Sequence, residues 1–402
     1  MIPDIGNGLR DWKTGWAGPA TLLILASLWL LLIGTIFVYS SADGSEGGFP
    51  GAYSASHMKK ILVGIFGLLL VSMVPPRRLE NFSSLFYGGT LALLLLLLVW
   101  KGFEGGVVRW IRIGGFGLQP SELAKISTVM VIATALRPGK QLERWSDLFK
   151  ITLMAVIPFA LIASQPDLGT ALILVPTVAA MLWVAGIEWK KLATLAMILI
   201  VLAGFSWPTM HNYQQQRILS YLGVGAVAVE SAGGYQVAQS IIAMGSGGPT
   251  GKGLHLGSHH DLGYLPEDHN DFIFSVIGEE WGLVGTISVL IGTLVLILTM
   301  LGVAWNCRDP FGRLVSVGLA AQIGSQAAIN QAMTVGLVPV TGLPLPLISY
   351  GGTSIVVTLL AIGIVISIAR KPVEVVHPDG LQKGVSPVQH RSTRARISRQ
   401  QA

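Results

Sequence analysis

Long apolar runs, separated by short clusters of charge, glycine and proline, divide this sequence. A membrane-crossing helix needs about 20 mostly apolar residues. Ten runs approach that length: 18–41, 59–76, 83–100, 119–137, 150–165, 168–187, 191–208, 271–301, 313–334 and 350–370. The pattern predicts an all-α polytopic membrane protein of about ten transmembrane helices, forming one transmembrane domain over 1–370. The first run far exceeds the ~7 to 15 residue apolar core of a secretory signal, so it is expected to stay as the first span. Spans seven and eight are joined by a long polar connection, 209–270, which is expected to have a job of its own. Before span ten, Pro339, Thr341, Gly342, Pro344, Pro346, Ser349, Tyr350, Gly351 and Gly352 break any helix yet carry no charge. Such backbone survives at membrane depth only where protein or a watery cavity covers it, so a re-entrant segment is expected there.

Composition narrows the class. Half the chain is hydrophobic (51%) and only 12% is charged, which excludes an ordinary soluble enzyme. Disorder, collagen and coiled coil are excluded by the lack of long polar tracts, a Gly-X-Y period or charged heptads. The net charge of +6 does not point to nucleic acid, because the basic residues lie between apolar runs. If both termini are cytoplasmic, 19 of the 27 Lys and Arg residues fall inside, which is the orientation the positive-inside rule favours. The connection 209–270 is then extracytoplasmic. The tail 371–402 is polar and basic, and is expected to be disordered and to touch anionic membrane lipid.

Ionisable groups beside apolar runs are costly and mark candidate sites. The clearest is Pro266-Glu267-Asp268-His269-Asn270-Asp271-Phe272, where the outer connection enters span eight. With Asn270 as N-cap, Asp271, Ser275, Gly278 and Gly282 would follow on one small-residue face open to a substrate or a partner helix. A helix N-terminus favours an ionised Asp271, which suits a base, although a plain cap is an equal alternative. Glu279 and Glu280, further along, should face protein or water.

Three further stretches qualify. Arg109 and Arg112 precede Gln119-Pro120-Ser121-Glu122-Leu123-Ala124-Lys125; Glu122 and Lys125 share a face and can neutralise each other, or the cations can meet an anionic head group. Asp167, beside Pro166 and Gly169, is either a turn cap or a polar group of the site. The third is the broken segment before span ten. Gly245 to Gly253 only resembles a phosphate loop, since Gly253 replaces the magnesium-binding Ser or Thr. His255, His259, His260 and His269 lack metal-ligand spacing, and Cys307, the single cysteine, is expected in a cytoplasmic loop.

These blocks, in this order, resemble the SEDS family of shape, elongation, division and sporulation proteins. Residues 105–125, 164–170, 233–285 and 333–353 carry the resemblance. Thr341-Gly342-Leu343-Pro344-Leu345-Pro346 and Gly251-Lys252-Gly253 look more like the rod-shape elongation branch (RodA-like) than the division branch (FtsW-like). The resemblance implies a peptidoglycan glycosyltransferase polymerising lipid II, an undecaprenyl-pyrophosphate-linked disaccharide-pentapeptide, at the outer membrane face. It also implies a class B penicillin-binding protein as partner. Asp271 matches the essential carboxylate of the family's Leu-Pro-Glu-x-His-x-Asp-Phe block. Arg109, Lys125 (beside Glu122), Arg217 and Lys252 are then candidates for pyrophosphate contact. Asp167, Glu267, His269, Ser275, Pro344, Pro346, Ser349 and Tyr350 are candidate cavity residues. No metal ligands are named, and a divalent cation, Mg or Mn, is a candidate cofactor. One departure stands out: Gly225 to Ser231 lacks the Asp-Pro turn usual before the family's Gly-Tyr-Gln block, here Gly234-Tyr235-Gln236. A lipid II flippase or other transporter is the alternative, since broken helices and mid-membrane charges suit transport equally.

Overall fold

A computed structural model of the chain describes residues 18–42, 51–104, 109–113, 116–136, 145–206, 208, 210, 212–221, 232–257 and 269–370. Each apolar run becomes helix, because a buried or lipid-facing backbone must satisfy its own hydrogen bonds. In chain order the helices are α1 (Pro19–Ala42), α2 (Ala52–Met73), α3 (Pro76–Glu104), α4 (Pro120–Ala135), α5 (Trp145–Ser164), α6 (Leu168–Val184) and α7 (Trp189–Ser206). There follow α8 (Asn212–Tyr221), α9 (Ala232–Gly247), α10 (Ile273–Glu280), α11 (Gly282–Asn306), α12 (Pro310–Thr334) and α13 (Gly352–Arg370). Among the described residues, six of these are long and apolar enough to cross a membrane by length and composition. The other four predicted runs also form helices, but α4, α6 and α7 have only 16, 17 and 18 residues and α12 carries amides along its length.

Burial sorts the helices into a centre and a periphery. Thirteen of the 16 residues of α4 are buried, Glu122 and Lys125 among them. Most of α13 is buried too, and it packs on α2 through small residues: a Cβ on Gly363 would meet the Leu68 backbone at 2.8 Å. Close approach of this kind replaces hydrophobic driving force where the surroundings are as apolar as the helix. The outward faces of α3, α5 and α7 instead show large apolar side chains such as Leu85, Phe149 and Phe205.

Three expectations need correction. The second helix begins at Ala52 rather than near residue 59, because the polar residues of its first turns, Ser54 and His57, are buried against protein instead of lying in water. Span eight is two helices, α10 and α11, parted at Trp281 with Gly282 at φ +61°, a left-handed conformation glycine adopts without strain. Asn270 is not an N-cap: α10 starts at Ile273 with Phe272 in that position, and Asp271 lies in the preceding turn. The all-α class holds, with one small addition among the described residues. A two-stranded antiparallel hairpin, β1 (Ile111–Ile113) with β2 (Phe116–Leu118), pairs Ile111 with Leu118 and Arg112 with Gly117 directly before α4.

The glycine run that mimics a phosphate loop has a mechanical role. Where α10 ends and α11 begins, the freed backbone groups find partners in residues 248–253. Lys252 and Gly253 N–H donate to the carbonyls of Glu279 and Glu280 (3.0 Å each), and Leu283 and Val284 N–H donate to those of Gly248 and Pro249. A Cβ on Gly251 would stand 2.1 Å from the Glu280 carbonyl oxygen, so only glycine permits this approach. The small face of α10 is likewise closed by protein, with Gly278 against Met244 of α9.

Candidate catalytic site

Asp271 sits in a turn fixed from three sides. Phe272 is buried with Met333 and Val340, anchoring the entry to α10. Asn330 of α12 donates its amide to the Asp271 carbonyl (2.8 Å) and to the Leu343 carbonyl (2.7 Å), and Tyr350 N–H donates to the His269 carbonyl (3.0 Å). The turn is therefore stitched to the non-helical segment 335–351, whose Leu343, Leu345, Leu347, Ile348 and Ser349 are all buried. That segment is covered by protein, as irregular backbone in an apolar setting requires. Its own geometry is held by Ser349, whose hydroxyl accepts from Leu345 N–H at 2.7 Å.

The Asp271 side chain and Arg217 of α8 converge on Gly342. A Cβ placed there would lie 3.5 Å from Asp271 Oδ2 and 3.9 Å from Arg217 Nη1, and the glycine itself is exposed at φ +72°. Arg217 is also fixed by donating to the Val340 carbonyl at 3.1 Å. A half-buried carboxylate and a guanidinium thus flank one open glycine. Chemically this offers a proton acceptor with a cation beside it.

A second chain of contacts reaches the same segment from α4. Lys125, fully buried, lies 2.9 Å from Glu122 and donates to Gln326 Oε1 at 2.8 Å, while Gln326 Nε2 donates to the Pro344 carbonyl at 2.9 Å. Asp167 caps α6 by accepting from Thr170 N–H and also accepts from Gln119 (3.0 Å) and Ser121 (3.3 Å). Arg109 donates to the carbonyls of Gln165 and Pro166 at the end of α5, where a cation meets the negative end of the helix dipole. Gly169, one turn on, presses against the Thr341 carbonyl. So blocks at 109–125, 165–170, 269–272 and 335–353 are joined by direct contacts.

Some predicted residues have other neighbours. Lys252 pairs with Glu279 at 2.5 Å, beside Glu280, which accepts from Ser40 of α1 at 2.7 Å. Both glutamates are buried, so the expectation that they face protein holds. Ser275 donates to the Phe272 carbonyl and is buried, and Pro346 is buried as well. Arg112 is exposed on β1. Glu267 lies outside the described residues, as do His259, His260 and the tail 371–402. Gln326 and Asn330 were not anticipated, although two amides four residues apart within an apolar span are a readable signal of one polar helix face. The Tyr53, Ser56, His57 and Lys60 series of α2 was also missed.

An all-helical architecture with several helices long and apolar enough to cross a membrane, and with a loop-borne carboxylate and a guanidinium beside one exposed glycine, defines the class: a polytopic membrane protein. The chain belongs to the cell cycle protein family of FtsW, RodA and SpoVE, whose family model matches residues 20–373. Among its relatives is the peptidoglycan glycosyltransferase MrdB of Escherichia coli K12, 32% identical over 368 residues, 91% of this chain and 97% of that protein. The probable peptidoglycan glycosyltransferase FtsW of Geobacter metallireducens is 34% identical over 360 residues, 87% of this chain and 94% of that one. Among solved structures, RodA of Thermus thermophilus superposes with a TM-score of 0.65 at 27% identity, covering 90% of this chain and 98% of that one. A chain from a peptidoglycan synthase complex that coordinates polymerization and crosslinking gives 0.72 at 28% identity, covering 87% and 97%.

Proposed function

We propose that this protein is a peptidoglycan glycosyltransferase that polymerises lipid II into glycan strands, with Asp271 as general base. The observation that carries the reading is the convergence of Asp271 and Arg217 on the exposed Gly342, inside a family whose named relatives are peptidoglycan glycosyltransferases. A sugar 4-hydroxyl gives its proton to the Asp271 carboxylate as its oxygen bonds to the anomeric carbon of the second lipid-linked sugar. The bond from that carbon to pyrophosphate breaks, and the pyrophosphate leaves with the electron pair. Arg217, and through the wall of the site Arg109 and Lys125, supply positive charge for it. Lys125 and Lys252 each already face a carboxylate, Glu122 and Glu279, which leaves Arg217 as the foremost candidate for that role. Among the described residues no three His, Cys, Asp or Glu are grouped to hold a Mg or Mn ion.

The reading extends to ten spans, counting α10 and α11 as one interrupted span and 335–351 as re-entrant, in the bacterial cytoplasmic membrane with both termini cytoplasmic and 209–270 outside. Trp183, Trp189 and Trp305, all more than 70% exposed, stand beside the connections assigned to the cytoplasm, as an interfacial aromatic belt would. A class B penicillin-binding protein as partner is supported by the likeness to the synthase-complex chain. The elongation branch is favoured by the relatives MrdB and RodA.

The test is chemistry in isolation. Purified chain with a class B partner, given labelled lipid II in detergent, is expected to make glycan polymer. Transbilayer movement of lipid II in vesicles without polymer would replace this reading with the flippase. Orientation is checked separately: in a Cys307→Ser background, Leu256→Cys should react with an impermeant thiol reagent on intact spheroplasts, and Ser392→Cys only after lysis.

A further inference from the structure

Four residues of α2 spaced three, four and seven apart meet one residue from the far end of the chain, Tyr350. The Tyr53 ring stands edge-on to it with centroids 5.4 Å apart, His57 lies nearly parallel at 6.2 Å, and Lys60 Nζ is 3.7 Å from its centroid. The Tyr350 hydroxyl donates to Ser56 Oγ at 3.0 Å. His269 completes the group, 5.1 Å from Tyr53 and 5.6 Å from Tyr350. Residues at these offsets share one helix face, so α2 presents a polar and aromatic stripe at the end nearest the Asp271 turn.

Holding Tyr350 in place does not require all of this. Tyr53 is 44% exposed, so its ring is not consumed by packing. His57 is fully buried, yet neither ring nitrogen has a hydrogen-bond partner among the described residues. A buried polar group in that condition is costly. The stripe also has a location that bears on the chemistry. Tyr350 N–H holds the His269 carbonyl, and Asp271 follows two residues later, within about 7 Å of chain.

A hexose ring has an apolar face of C–H bonds and an edge of hydroxyls. Aromatic side chains with a polar tip suit the first, and a few placed nitrogens and hydroxyls suit the second. We propose that Tyr53, His269 and Tyr350 form a saccharide platform beside Asp271, with Lys60 as its polar edge and the buried His57 against the Tyr350 ring, holding a sugar of the reacting lipid-linked chains. The inference rests on the glycosyltransferase reading and specifies which surface orients the sugar that Asp271 deprotonates or the one that is attacked.

The experiment uses the full chain in detergent micelles and, as probe, the lipid-free N-acetylglucosaminyl-N-acetylmuramic acid disaccharide. Saturating the protein's aromatic resonances should transfer magnetisation to the sugar C–H protons, in the native chain and in Asp271→Asn alike. Tyr53→Ala should lower that transfer at least fivefold, and Tyr53→Phe should restore most of it. If Tyr53→Ala does not keep its thermal unfolding midpoint, Tyr53→Leu gives the same readout. Absent transfer in the native chain, or equal transfer in the ring-deleted variant, overturns the platform. Polymerisation with a preformed lipid-linked tetrasaccharide then separates the two sources of sugar. A fivefold rise in the half-saturating concentration of one substrate in Tyr53→Ala, lipid II or the tetrasaccharide, assigns the platform to the subsite that substrate occupies, and a rise for neither overturns the proposal. A native chain that binds disaccharide but makes no polymer overturns the glycosyltransferase reading and leaves the platform standing.

Discussion

Asp271 and the pair Glu279 and Glu280 lie within ten residues of one another, yet their surroundings differ. Glu279 and Glu280 are each 1% exposed and are held by Lys252 and Ser40, so they tie the loop around Lys252 and α1 to the break between α10 and α11. Asp271 is only half-buried, its backbone is pinned by Asn330, and its carboxylate borders an exposed glycine and Arg217. Protonating a buried carboxylate that is paired with a lysine, as Glu279 is with Lys252, would strand the lysine's charge. A carboxylate at an opening, fixed through its backbone, can exchange a proton with something that enters. Position along a helix therefore says less about a carboxylate's role than what covers it.

The sharpest way to break this contrast is the second buried ion pair. Lys125→Met leaves Glu122 buried beside Gln326 without its cation, which should cost about 3 to 5 kcal/mol. Adding Glu122→Gln is expected to recover most of that in thermal unfolding while polymerisation stays lost; recovery of activity in the double variant would make the pair purely structural. Glu279→Gln should destabilise by less, about 1 to 2 kcal/mol, since Lys252 is 28% exposed and can reach water. Activity per folded molecule should survive it, and loss of activity at unchanged stability would erase the distinction between Glu279 and Asp271. Gly342→Ala sets a Cβ between Asp271 and Arg217 at φ +72°, with an expected cost of about 1 to 2 kcal/mol. Its polymerisation rate should fall further than its stability. The smallest effect is at Cys307, whose thiol pKa is raised chiefly by burial. A thiol with a raised pKa carries less thiolate at neutral pH, so maleimide should label it more slowly than a free cysteine, the gap narrowing as pH rises.

Much of this was legible in the sequence because apolar runs act locally. All ten runs are helical, and the blocks around Glu122, Asp167, Asp271 and Pro344 do meet. What escaped depends on distant partners. The break at Gly282 is stable only because residues 248–253 accept and donate its freed backbone bonds, and nothing near 282 announces that loop. The early start of α2 is hidden because Ser54 and His57 look like loop residues until α2 is packed. The β1–β2 hairpin is three residues per strand, too short for alternation to register. Gln326 and Asn330 carry no charge to single them out, and only the fold shows them stitching 343–344 and 271 together.

The central claim is that Asp271 acts through its carboxylate and not through its place in the fold. Asp271→Asn keeps the side chain's size, and the bond from Asn330 goes to the backbone carbonyl, which the substitution does not alter. The decisive measurement is polymerisation of labelled lipid II by the purified Asp271→Asn chain with its partner, alongside its thermal unfolding midpoint. The account predicts a native midpoint with polymer reduced at least a hundredfold, the scale of a lost general base. Near-native polymerisation by a well-folded Asp271→Asn chain would contradict it.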